Sequence, residues 1–144
     1  MKLVDLNLLL YAVNSDTPEH GPAHAWWTET LADDETVGLA WVVLLGFVRI
    51  STHPRLFPSP LSAMAATGVV DAWLAHPATV VVQPRRDHWR VVKGLLHDCG
   101  RAGKLTTDAH LAALAIEHGA ELFTADNDFG RFDKLRWRNP LRSG

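Results

Sequence analysis

Cysteine occurs once in these 144 residues, at Cys99, so no disulfide can form within the chain. A lone thiol suits a reducing compartment and a buried, inert role. An excess of basic charge is also missing: 14 Lys and Arg stand against 16 Asp and Glu, a formal net charge of −2. That removes the overall positive potential of many nucleic-acid binders and leaves any such contact to local patches or to a bound cation. No stretch reaches the roughly 18 uncharged apolar residues of a membrane helix. The apolar run from Leu6 to Val13 is preceded by Asp5 and broken by Asn7, with no small-residue cleavage site behind it, so it does not read as a signal peptide. A cytoplasmic location is the expectation. Repeats, linkers and low-complexity tracts are absent too, which favours one domain over residues 1–144. The 47% apolar content and six tryptophans suffice for a core of that size.

What is present alternates between short apolar runs and helical patterns. Residues 2–5 read as a buried strand and Leu6 to Val13 as a leucine-rich helix, closed by the turn-rich residues 14–21. Pro22 is placed to open a second helix through Leu31. Thr36 to Ala40 forms a second strand, followed by a helix from Trp41 to Ser51. Three prolines in residues 53–60 require a loop. A helix from Leu61 to Ala75 leads to the β-branched strand Thr79 to Gln83. Arg86 to Cys99 is amphipathic, with Trp89, Val92, Leu95 or Leu96 and Cys99 at helical spacing, and Gly100 and Gly103 stop it. Thr106 or Thr107 can cap the next helix, which runs to His118. Glu121 to Thr124 is a strand, Asp126 to Asp128 opens a short helix, and Lys134 to Trp137 is a last edge strand. Strands alternating with helices predict an α/β fold with a parallel sheet and right-handed crossovers.

Four aspartates fall at the strand ends and helix starts of this scheme. Asp5 and Asp126 lie at or just beyond the carboxyl ends of the first and fourth strands, Asp108 in the first turn of a helix, and Asp128 in the turn after Asp126. Carboxylates so placed converge on the crevice where open α/β sheets bind ligands, and hard oxygen donors suit Mg²⁺ or Mn²⁺. Aspartate is equally a common cap and turn residue, which accounts for Asp108, Asp126 or Asp128 taken singly. Asp5 interrupts an apolar run, where an unpaired charge is costly, and needs a partner.

Val4-Asp5-Leu6-Asn7 after a short strand, Thr107-Asp-Ala-His-Leu-Ala-Ala-Leu-Ala115 opening a late helix, and Leu122-Phe-Thr-Ala-Asp-Asn-Asp-Phe129 after the next strand together resemble the PIN domain. The likeness is greatest to VapC-type toxins of toxin–antitoxin pairs, and the segment Trp41 to Phe57 resembles a branch abundant in mycobacteria. The resemblance implies a three-layer α/β/α sandwich with a mainly parallel sheet of four or five strands. It also implies a Mg²⁺- or Mn²⁺-dependent endoribonuclease, with Asp5, Asp108 and Asp126 on its core acidic positions and Asp128 as an auxiliary acid. Asn7 and Thr124 match polar positions that hold the acids, although either also serves as an ordinary helix-start or strand residue. A cognate VapB-like antitoxin, an RNA substrate such as tRNA, and a homodimer are further implications.

One position departs from the pattern. The family usually carries a glutamate three residues before a basic one on the third helix, and here Gly46 precedes Arg49. A glycine inside a helix costs about 0.5–1 kcal/mol relative to alanine, so it either allows close helix packing or leaves space for water, metal or substrate. Without that acid a second metal is less expected. RNA would be held by basic residues at the rim, drawn from Arg49, Arg55, Arg85, Arg86, Arg90, Arg101 and Lys104. Arg49 and Arg55 are preferred because they bracket the exit of the third helix.

Other features carry less. His20 and His24 sit four apart, but no third or fourth zinc ligand accompanies them. Trp26, Trp27 and Leu31, with the apolar face of residues 61–75, form either core or a partner or dimer surface. Two other functions compete: a PIN-fold RNA- or antitoxin-binding module without activity, and a haloacid-dehalogenase-like phosphatase. The phosphatase expects Asp-x-Asp where this chain has Asp5-Leu6-Asn7.

Overall fold

The computed structural model describes residues 1–142. Five short strands form one sheet: β1 (Lys2–Val4), β2 (Val37–Ala40), β3 (Thr79–Val82), β4 (Glu121–Phe123) and β5 (Trp137–Arg138). Their spatial order is β3-β2-β1-β4-β5 and every pairing is parallel. The α/β class and the parallel five-stranded sheet are as expected.

Six helices connect the strands: α1 (Leu6–Val13), α2 (His20–Ala32), α3 (Trp41–Ser51), α4 (Ala63–Ala75), α5 (His88–Cys99) and α6 (Leu105–Glu117). Helix α1 packs on α2 and α3, α3 packs on α4, and α5 packs on α6. The chain travels outward from β1 to β2 to β3, then returns past β1 to β4. Right-handed crossovers therefore put α1–α4 on one face and α5–α6 on the other, which gives three layers. Parallel strands covered on both faces must be apolar throughout, and all four residues of β2 are buried. In α6, Leu111, Ala112, Ala113, Leu114 and Ala115 are consecutively buried, as in a helix enclosed on most sides.

Several boundaries differ from the expectation. Helix α2 begins at His20, two residues before Pro22, because first-turn N–H groups need no helical partner and proline loses nothing there. Helix α4 starts at Ala63, with the Ser62 hydroxyl accepting from Ala65 N–H at 3.0 Å. Helix α6 starts at Leu105, so Thr106 and Thr107 lie inside it and do not cap it. Strand β5 is displaced to Trp137–Arg138, since Leu135 turns into the core at 7% exposure. Gly100 ends α5 with φ 71°, a left-handed conformation suited to glycine.

The tryptophans of the expected partner surface are mostly interior. Trp27 and Trp73 are buried and meet edge to face at 5.9 Å, Phe47 packs on Trp73 at 4.7 Å, and Trp26 stacks on Phe123 at 5.7 Å. These rings join α2, α3 and α4 to each other and to β4, so they belong to the core. The outer face of α4, with Met64 exposed, stays open. No described helix is long and apolar enough to cross a membrane.

Candidate active site

The reversal of strand order lies between β1 and β4, adjacent strands whose chains continue in opposite directions across the sheet. Ligands of open α/β sheets bind at such a switch point, beyond the carboxyl ends of the strands. Asp5 follows β1 and Asp126 follows β4 by three residues, so both flank it.

Asp5 is the N-cap of α1, and its Oδ1 accepts from Leu6 N–H at 2.7 Å. Its Oδ2 accepts from Thr124 Oγ1 at 2.7 Å and from Asn7 Nδ2 at 3.4 Å. Thr124 is fully buried, and its hydroxyl oxygen also accepts from Asp126 N–H at 3.0 Å. Asn7 Oδ1 accepts from Ala125 N–H at 3.1 Å, and Asn7 Nδ2 contacts Thr124 Oγ1 at 3.3 Å. Two polar side chains thus tie the first strand end to the fourth across 117 to 119 residues of sequence. Asn7 and Thr124 are each bonded across the crevice and not merely within their own elements. Asp126 in turn caps the 3₁₀ helix Asn127–Arg131, its Oδ1 accepting from Asp128 N–H at 2.9 Å. Asn139, which sequence reasoning missed, steadies the same loop through Nδ2 contacts of 3.4 Å to Ala125 O and Asn127 Oδ1.

Burial raises the Asp5 pKa most; the Thr124 and Leu6 hydrogen bonds oppose it, and the Asp126 charge adds to it. Asp108, on the fourth residue of α6, is pushed up to about 6, first by burial and then by the charges of Asp5, Asp126 and Asp128. All four aspartates therefore share one field, although they come from three separate regions of the chain. Lys104 is the cation that acts on Asp108. Arg49, in the last turn of α3, and Arg55 are both exposed and pair with no carboxylate among the described residues.

The donor set is all carboxylate, with hydroxyl and amide support, which fits Mg²⁺ or Mn²⁺ by chemistry. Among the described residues, no three His, Cys, Asp or Glu side chains converge closely enough to enclose a metal ion.

Of the two readings of Gly46, the structure supports close helix packing. A Cβ at Gly46 would lie 2.8 Å from Leu6 Cδ2, and Gly46 is buried, so glycine here permits α3 to approach α1 closely. The histidine pair of α2 serves helix packing: His20 Nδ1 bonds Tyr11 O of α1 at 2.9 Å and its ring lies 5.5 Å from that of His24. A second histidine cluster was not foreseen. His88 Nδ1 bonds Glu117 Oε2, and His88 Nε2 meets His110 Nδ1 at 2.7 Å, joining α5 to α6.

Residues 2–135 match the model of the PIN domain. The chain is 46% identical over 140 residues to Ribonuclease VapC37 of Mycobacterium tuberculosis, covering 97% of each, and 42% identical over 142 residues to Ribonuclease VapC33 of the same organism, covering 99% of each. Among solved structures, VapBC2 from Rickettsia felis, bound to a DNA fragment from its promoter, superposes with a TM-score of 0.71 at 17% identity, covering 96% of this chain and 97% of that one.

Proposed function

This chain belongs to the PIN-domain family, in its VapC ribonuclease branch, and from that membership we propose that it is a metal-dependent endoribonuclease toxin held in check by a VapB-like antitoxin. The observation that carries the reading is the network in which Thr124 and Asn7 bind Asp5 and the Asp126 backbone together at the switch point. A buried hydroxyl and amide arranged around two carboxylates serve to fix where those carboxylates point.

In this reading Asp5 and Asp126 are the principal metal ligands, Asp108 a ligand or water-positioning base, and Asp128 a water-mediated helper. Mg²⁺ or Mn²⁺, when bound, supplies charge neutralisation at a non-bridging phosphate oxygen and a lowered pKa for water. The protein's own residues do the rest. Asp5 is oriented by its two strong hydrogen bonds, and Asp126 by capping the 3₁₀ helix. Asp108, with its raised pKa, is suited to take up a proton near neutral pH. Lys104, Arg49 and Arg55 are proposed to hold the RNA backbone against the repulsion of the acids. A structured RNA such as tRNA, a cytoplasmic site of action and a homodimer complete the proposal.

Gly46 favours a second reading, a PIN-fold binding module of weak or no activity, because the usual glutamate is missing there and Leu6 packs against the position. Expression of the antitoxin-free chain with mapping of cellular RNA ends separates the two. New 5′ ends made by the parent and lost in both Asp5→Asn and Asp126→Asn support the nuclease. Identical end maps for all three proteins sink it and leave the binding module.

A further inference from the structure

Helix α5 carries an indole at the surface, more exposed than Trp41 of α3 at 45%. Trp89 is 68% exposed, whereas Trp27 and Trp73 are buried. The inner face of α5 is already supplied by Val92 and Leu95, so Trp89 is not needed for the core. It lies with Lys93, Leu96, His97 and Arg101 along a groove of about 530 Å³. Arg101 and Ala102 also line a second, smaller cleft with Lys104, Asp128 and Arg131. The two depressions therefore share a wall, and the second reaches the acidic site through Asp128. None of Lys93, Arg101, Lys104 or Arg131 pairs with a carboxylate among the described residues.

We propose that this face of α5 is a track for single-stranded RNA, with Trp89 stacking a base and Lys93, Arg101, Lys104 and Arg131 following the phosphates to the acidic site. The proposal rests on the nuclease reading and adds to it where the strand approaches. From Trp89 to its end at Cys99 the helix rises about 15 Å at 1.5 Å per residue, long enough for two or more nucleotides, and Arg101 follows just beyond it. An exposed indole flanked by unpaired cations is the usual composition of a sequence-tolerant single-strand site, in which stacking and phosphate contacts combine. A second copy of the chain is a poorer occupant, because a two-fold contact would set the same cations against each other. Continuity with Asp128 favours a substrate that must be delivered to the carboxylates.

The test uses a fluorescein-labelled, unstructured RNA of mixed sequence, binding measured by anisotropy with the Asp126→Asn protein and cleavage measured with the active one. Trp89→Ala is expected to weaken binding and raise KM about tenfold or more, and Trp89→Phe to recover most of the loss. Lys93→Gln with Arg101→Gln is expected to lower the slope of log affinity against log salt by about 0.7 for each cation removed. Melting curves matching the parent exclude misfolding as the cause. If the parent cleaves this RNA and the variants keep its KM and salt slope, the track is wrong and the nuclease reading stands. Loss of self-association or of antitoxin binding alone, with KM unchanged, likewise overturns the track. A parent that neither binds nor cleaves this unstructured RNA overturns the track, while the nuclease reading, whose proposed substrate is a structured RNA, is decided separately by the mapping of cellular RNA ends.

Discussion

Thr124 holds the two strand ends together with a single oxygen: it donates to Asp5 Oδ2 and accepts from Asp126 N–H. Removing that oxygen without changing shape, as in Thr124→Val, leaves the Asp126 N–H without its partner and Asp5 with one stabilising bond fewer. The expected cost is about 1–3 kcal/mol in chemical denaturation, together with a fall in RNA cleavage, and Thr124→Ser should recover both. A valine variant as stable and active as the parent would remove the hydroxyl from the site. Asp108 gives a second test at this scale. Its pKa in the folded chain, about 6, exceeds the 3.8 of an unperturbed aspartate. The folded state thus binds the proton more tightly than the unfolded one, so this contribution is present in full below pH 3.8 and is lost as pH rises through about 6. In the presence of EDTA, Asp108→Asn is expected to melt above the parent at pH 7, with the gap closing toward pH 4. A gap that is absent or widens on acidification contradicts the raised pKa.

At the scale of elements, helix pairs carry two further consequences. Helix α1 and helix α3 meet where Leu6 covers Gly46, so Gly46→Glu must shift the Leu6 side chain and place a carboxylate at a buried position. A loss of about 1–3 kcal/mol is expected from overpacking, more with the buried charge, and no gain in cleavage. Gly46→Glu combined with Leu6→Ala should be less destabilised than the sum of the two single changes, since the second opens room for the first. Additive losses, or a more active Gly46→Glu protein, would mean that the glutamate position is free. Helices α5 and α6 are joined by Glu117, whose side chain is 5% exposed and accepts from both His88 Nδ1 and Arg85 N–H. His110, adjoining His88, has its pKa lowered, first by burial and then by the charge of His88. Glu117→Leu leaves the Arg85 N–H and His88 without their acceptor and is expected to cost about 1–3 kcal/mol, read by urea denaturation. It should also loosen the face of α5 that bears Trp89.

For the whole molecule, the sheet is a scaffold that gathers repelling charges at one edge and holds them there. Asp5, Asp108, Asp126 and Asp128 act on one another electrostatically, and that repulsion is an energetic cost borne by the rest of the fold. A divalent cation is expected to offset it. Addition of Mg²⁺ or Mn²⁺ should raise the melting temperature of the parent by several degrees at saturating metal, and should do so much less for Asp5→Asn or Asp126→Asn. Equal shifts in all three proteins, by differential scanning calorimetry, would place the binding elsewhere.

The chain pattern alone determined the order of elements and the parallel sheet, and marked the four aspartates as candidates, because period, apolar runs and turn residues are local signals. It also singled out Gly46 as unusual. The meaning of Gly46 was decided only in three dimensions, since Leu6 is forty residues away in the chain and 2.8 Å away in space from a Cβ at that position. The same holds for Thr124 and Asn7, ordinary residues in sequence whose partners lie across the crevice, and for Asn139, which no local pattern marks. Helix starts at His20, Ala63 and Leu105 were misread for local reasons: proline is tolerated anywhere in the first turn of α2, Ser62 supplies the cap of α4, and α6 begins without a side-chain cap. Trp89 separated from the other tryptophans for a tertiary reason. Periodicity shows that a residue lies on a helix face, but only the packing of neighbouring elements determines whether that face is covered.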